Sequence, residues 1–102
     1  MIARIWRGWA PQATADDYQR HFESEVSGHL RAVEGFRDAR LLRRDDGPEV
    51  MFTALTFFAS LDAVRRFAGQ DYGRAVVEDA ARRALSHWDE VVTHHEVAAD
   101  FS

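Results

Sequence analysis

The sequence predicts an α+β domain, a single antiparallel sheet with two helices packed on one of its faces. Three observations carry that expectation. Segments with strand-like and helix-like patterning follow one another as strand, helix, strand, strand, helix, strand. The two middle strands are separated by Asp45-Asp46-Gly47-Pro48, and an Asp-Gly step between β-prone runs marks a hairpin. The strands are also apolar on both parities, more than a sheet with one solvated face needs.

The first strand is expected over residues 1–9, where Ile2, Ile5, Trp6 and Trp9 are β-prone, and Pro11 ends it. Thr14 followed by Asp17 resembles a capping box, so a long helix is expected from there to about Val33. Its apolar stripe is Tyr18, Phe22, Val26, His29, Leu30 and Val33, and Gly35 is placed to stop it. Strands are expected at 36–44 and 49–58. Ser60 and Asp62 open a second helix carrying Leu61, Val64, Phe67 and Ala68, which Gly69 breaks. A short helical piece is expected around 73–86, and a last strand from Trp88 to Ala98.

With no internal repeat or linker, residues 1–102 read as one domain. The order βαββαβ is the ferredoxin-like split-βαβ arrangement. In it the second strand lies at an edge, where Arg37, Arg40, Arg43 and Arg44 discourage stray pairing. Val50, Phe52, Ala54 and Phe58 take one parity of the third strand, and Met51, Leu55 and Phe57 the other. Two apolar faces need two covers, and the chain has helices for one. A second copy is the economical cover, so a homodimer is expected with its sheets face to face.

Composition excludes several chemistries. The chain has no cysteine, lysine or asparagine; all thirteen basic residues are arginine. Disulfides, thiolate nucleophiles, Cys-based zinc sites and Schiff-base lysines are therefore ruled out. A net charge of -4 argues against nucleic acid as a partner. Neither a membrane span nor a signal-peptide apolar region is visible, so a cytoplasmic location is expected.

The groups able to move protons near neutral pH are five histidines. His29 falls inside the helix stripe and is expected to face the sheet. His21 falls off it, beside Glu25 one turn on, and is expected to be exposed. The last strand sends His94 and His95 to opposite faces. The more apolar parity contains His95, which is therefore expected on the helix-covered side, with His94 and Glu96 facing the partner. His94 and Glu96 lack a third ligand nearby, so no metal site is expected, and His87 reads as surface. Trp6, Phe22, Phe58, Phe67, Tyr72 and Trp88 are either ordinary core or the lining of a pocket for a planar aromatic ligand.

The strings Phe67-Ala68-Gly69-Gln70-Asp71-Tyr72, Ala75-Val76-Val77, Asp89-Glu90-Val91 and His94-His95-Glu96-Val97, with the opening Ile-Ala-Arg-Ile-Trp-Arg-Gly, resemble the antibiotic biosynthesis monooxygenase family. So does Gly35-Phe36 followed by Leu41-Leu42-Arg43-Arg44. The resemblance spans the chain and implies a dimeric α/β barrel. It also implies a cofactor-independent monooxygenase acting on an aromatic, polyketide-like phenol or hydroquinone. His29 or His95 would then take the substrate's proton, and Tyr72 or Trp6 would hydrogen-bond its oxygens. Phe22, Phe58, Phe67 and Trp88 would hold its ring, and dioxygen would be reduced by the substrate anion itself, with no cofactor. The haem-degrading branch is a poorer likeness. Its first-strand asparagine falls on Trp6, its second-helix tryptophan on Phe67, and its haem-ligating histidine at or beside Val77. The alternatives are a non-catalytic or small-molecule-binding member of the fold, and a haem-handling protein with altered ligands.

Overall fold

The computed structural model describes all residues, 1–102. Strand β1 (Ile2–Pro11) leads into helix α1 (Ala15–His21), a π-helical turn (Phe22–Val26) and helix α2 (Ser27–Arg31), which run on without a break. Strands β2 (Phe36–Asp46) and β3 (Glu49–Phe58) form the hairpin. Helices α3 (Leu61–Ala68) and α4 (Asp79–Ala84) precede two short strands, β4 (His87–Trp88) and β5 (Thr93–Glu96). The sheet order is β2-β3-β1-β4, with β5 also on β1, and every pairing is antiparallel. This is the expected ferredoxin-like α+β fold, with β2 at an edge. No helix is long and apolar enough to cross a membrane.

β1 is the central strand. β3 pairs with it from Ile2 to Pro11, while β5 takes Ile2–Ile5 of its other edge and β4 takes Gly8 and Trp9. Residues along β3 alternate strictly between buried and half-buried. The buried parity (Val50, Phe52, Ala54, Thr56, Phe58) faces the helices. Ala3, Ile5, Met51, Leu55 and Phe57 form a half-buried apolar band on the opposite face, which no element of this chain covers.

Under the helices lie two clusters of buried side chains. One joins Tyr18, Val50, Phe52 and Leu85 with small alanines; the other joins Phe22, Leu30, Phe58 and Val64. Trp6 and Leu41 touch both, so they mark the seam between them.

Four sequence expectations need correction. Thr14 does not cap α1 with its side chain; its hydroxyl donates to the Ala84 carbonyl at 2.8 Å and so ties the helix start to the end of α4. The helical piece expected at 73–86 shrinks to α4, because residues 73–75 pair irregularly with 90–92 instead. Ala75 N–H donates to Glu90 O and Val92 N–H to Gly73 O. The same pairing pulls 89–92 out of the ladder and divides the expected last strand into β4 and β5.

The fourth correction concerns the long helix. Its stripe Tyr18-Phe22-Val26-Leu30 steps by four residues each time, and on a plain α-helix each step drifts by ~40°. Leu30 would then swing to the side, and His29 would lie within ~20° of Tyr18, facing the sheet. The π-helical turn, closed by Ser27 N–H to Phe22 O, absorbs the drift. Leu30 is fully buried as a result, and His29 is turned out to solvent.

Gly35 joins α2 to β2 with φ +94°, and a Cβ there would lie 2.7 Å from Ala63 Cβ on α3. Gly28, in α2, has open space around it. Gly35→Ala is therefore expected to destabilise the protein by at least about 1 kcal/mol, through left-handed strain and a clash. Gly28→Ala is expected to stabilise it by roughly 0.5–1 kcal/mol. Urea unfolding of both variants checks the opposite signs.

Candidate functional site

A cleft opens at the seam between the two clusters. Its volume is about 90 Å³, and it opens to solvent beside the irregular segment Ala75–Glu78. Trp6, Tyr18, Phe22, Phe67 and Val92 give it apolar walls, and Arg4, His21 and Thr56 give it polar ones. Gly8 lets the Trp6 indole lie close along β1, since a Cβ there would come within 2.8 Å of the ring. The indole N–H donates to the Asp89 carbonyl at 2.8 Å, which fixes the ring and uses its one donor.

A row of polar side chains crosses the helix-facing side of the sheet. His94 of β5, Arg4 of β1 and Thr56 of β3 are lateral neighbours in the ladders. Arg4 is only 7% exposed. Its Nη1 donates to the Tyr72 carbonyl at 2.7 Å and to His94 Nε2 at 2.9 Å, and the guanidinium lies over the Phe67 ring, 5.8 Å from its centroid. Burial lowers its pKa to about 10, so it stays a cation at neutral pH. A guanidinium only donates, so His94 Nε2 must accept and the imidazole is held neutral there. The Tyr72 ring meets His94 edge-on at 4.9 Å.

His21 is 8% exposed, and its Nδ1 lies 3.5 Å from Glu25 Oε2. Nε2 has no protein hydrogen-bond partner, yet no buried side-chain nitrogen or oxygen is left unsatisfied. That nitrogen therefore reaches accessible surface, and His21 borders the cleft. The Tyr18 hydroxyl is in the same position; burial pushes its pKa up, which keeps it protonated.

Of the residues expected at a site, Trp6, Phe22 and Phe67 line the cleft together. The others do not. His29 is exposed, with its Nδ1 3.8 Å from Glu78 at the cleft rim. His95 is exposed on the uncovered face and pairs with Thr93 Oγ1 at 3.0 Å. Parity does not separate the two histidines, because both faces of the sheet are apolar and the chain leaves the ladder at 89–92, so Val91 is exposed and Val92 buried. His94 is the inward histidine. Phe58 is fully buried core, edge-on to Phe36 and tilted against Phe67. Trp88 packs beside the first cluster under the Arg82 guanidinium. Tyr72 sits behind Arg4 and serves it with a backbone carbonyl. The sequence reading missed Arg4, Tyr18, His21, Thr56 and His94. The signal available for Arg4 was its parity, two residues before an inward Trp6 on a strand expected to be central.

This arrangement defines a small α+β protein whose sheet and helices enclose an aromatic-lined cleft with a few buried polar groups. The chain belongs to the antibiotic biosynthesis monooxygenase family, whose profile matches residues 1–79. No curated protein sequence matches it. The fold is similar to that of a MhuD variant with two manganese protoporphyrin IX molecules bound per active site (18% identity, 100% of this chain and 99% of that one, TM-score 0.71). It is also similar to SnoaB, a cofactor-independent oxygenase from Streptomyces nogalater (14% identity, 97% and 95%, TM-score 0.66). A third similar structure is a monooxygenase from the gene ActVA-Orf6 of Streptomyces coelicolor in complex with nanaomycin D (20% identity, 99% and 92%, TM-score 0.60).

Where the haem-degrading branch places its iron-ligating histidine, this chain has Val77, which lines the cleft without a ligand atom. No three His, Asp or Glu side chains converge to hold a metal ion.

His94 supplies a pH test. Burial first, then the charges of Arg4 and His95, hold its pKa below the ordinary 6.5. The unfolded chain thus takes up this proton more readily than the folded one. The stability contributed by neutral His94 is complete above about pH 6.5 and is lost as pH falls through the lowered folded value. The melting temperature is expected to drop on acidification below about pH 6.5, and to drop less in His94→Gln, whose amide oxygen can accept from Arg4 without titrating. Equal slopes would refute the role.

Proposed function

We propose that this family member is a cofactor-independent monooxygenase acting on a small phenol or hydroquinone. The observation that carries the reading is His21, buried at the cleft wall with Glu25 beside Nδ1 and its Nε2 open. A buried histidine with a carboxylate near one ring nitrogen and the other nitrogen open can serve as a general base. Trp6, Phe22 and Phe67 supply apolar ring surfaces to hold an aromatic substrate and exclude water.

The chemistry balances without a cofactor. The phenol gives its proton to His21 Nε2, and the phenolate passes one electron to dioxygen. The resulting radicals combine at a ring carbon as a peroxide, and loss of water leaves a quinone. One oxygen atom enters the product and the other leaves as water. The protein's contribution is proton transfer, orientation and desolvation. Oxygen uptake with a panel of hydroquinones and anthrols tests this, with one quinone formed per dioxygen consumed. His21→Ala is expected to lower the rate by about 10²- to 10⁴-fold, whereas His29→Ala and His95→Ala leave it unchanged. Retention of full activity by His21→Ala would refute the assignment. Binding of the panel without oxygen uptake would instead favour a non-catalytic small-molecule binder. Stoichiometric haem binding with an imidazole-ligated Soret band would favour the haem-handling reading.

The working unit in this proposal is a homodimer. The band of Ala3, Ile5, Met51, Leu55 and Phe57 is continuous across β1 and β3, with the half-exposed Leu42 beside it. A second copy of the same face is self-complementary in its apolar character. Light scattering at micromolar concentration is expected to give a dimer, and Leu55→Glu a monomer. A monomeric native protein would refute it.

A further inference from the structure

We infer that the ligand of this cleft is an aromatic carboxylate, its anionic group seated on the unused edge of the Arg4 guanidinium. The inference deepens the proposed function by naming the substrate class, and it rests on the same cleft.

Arg4 is a buried cation without an anion. No carboxylate lies within 4.0 Å of it, although Arg7, Arg20, Arg40, Arg43, Arg65 and Arg74 all have acidic partners. Its protein partners are neutral, a backbone carbonyl and the acceptor nitrogen of His94. Glu78, the acidic residue lining the cleft, pairs with His29 instead.

The hydrogen bonds are distributed unevenly over the guanidinium. Both contacts use Nη1. Nε and Nη2 have no protein partner, and neither is sealed away, since no buried side-chain nitrogen is left unsatisfied. Arg4 is 93% out of solvent and lines the cleft, so we assign the accessible space that these two groups meet to the cleft. Nε–H and the adjacent Nη2–H point the same way and form the fork that binds both oxygens of a carboxylate. A phenolate or an alcohol offers one oxygen and leaves half the fork unmet. Ala54, Phe67 and Val92 beside it are apolar, which strengthens a charge-assisted pair once water is displaced.

Calorimetric titration of 4-hydroxybenzoate and 4-hydroxybenzyl alcohol tests the inference, because the two share a ring and a phenol and differ in the carboxylate. The native protein is expected to bind the acid about 10- to 100-fold more tightly. Arg4→Gln should abolish that preference, and Arg4→Lys, with charge but no fork, should keep only part of it. Equal affinity of the native protein for both probes, or binding of neither at millimolar concentration, overturns the inference whether or not the variants fold. The oxygenase reading fails separately. Acid preference without oxygen uptake leaves the seat standing and removes the oxygenase. Oxygen uptake with both probes bound at equal affinity does the reverse.

Discussion

The alternation of side chains along β1 is the constraint on which the structure turns. β1 is paired on both edges, so its two parities cannot rotate independently. Arg4, Trp6 and Gly8 go inward and make the floor of the cleft, while Ala3, Ile5 and Trp9 go outward to the uncovered face. Slipping the strand by one residue would exchange the sets. Arg4 would go to the open face and Ile5 into the cleft, and both the polar row and the apolar band would disappear.

The π-helical turn plays the equivalent part on the helix layer. It sets which side of the long helix meets the sheet, and so places Tyr18, His21 and Phe22 on the cleft wall while Leu30 fills the core behind them. His21 and His29 are both one step from an apolar residue of the stripe, and the wider turn is what separates their fates. A strict four-residue spacing from Tyr18 to Leu30 is the trace of that turn in the sequence. It is legible only when the accumulated drift is compared with the period of an α-helix.

Much of the fold could be read from the residues. The Asp46-Gly47 hairpin, the strand boundaries at Phe36 and Phe58, the Ser60 cap that accepts from Ala63 N–H, and β2 at the edge follow local chemistry. What failed was long-range. Residues 73–75 pair with 90–92 through backbone groups that carry no side-chain signature, and this pairing divides the last strand. The site was half legible for a related reason. Aromatic side chains announced a cleft, but Phe58 and Trp88 have the same composition signal as Phe22 and Phe67. Polarity on the inward parity separates site from core better than aromaticity does.

The energetics of Arg4 argue that it is present for something other than stability. Removing an ion from water costs several kcal/mol even after relaxation. Its two hydrogen bonds return at most about 1.5–3 kcal/mol each, and a cation–π contact about 0.5–2. These terms roughly cancel, and an apolar side chain of similar volume would hold the sheet as well or better. The surrounding structure nevertheless accommodates the charge with care. His94 is held as a neutral acceptor and Tyr72 turns a carbonyl inward. All of this supports one edge of a guanidinium and leaves the other free. A fold indifferent to the cleft's contents would have no reason to keep a cation there, and one built around an anion would need this arrangement.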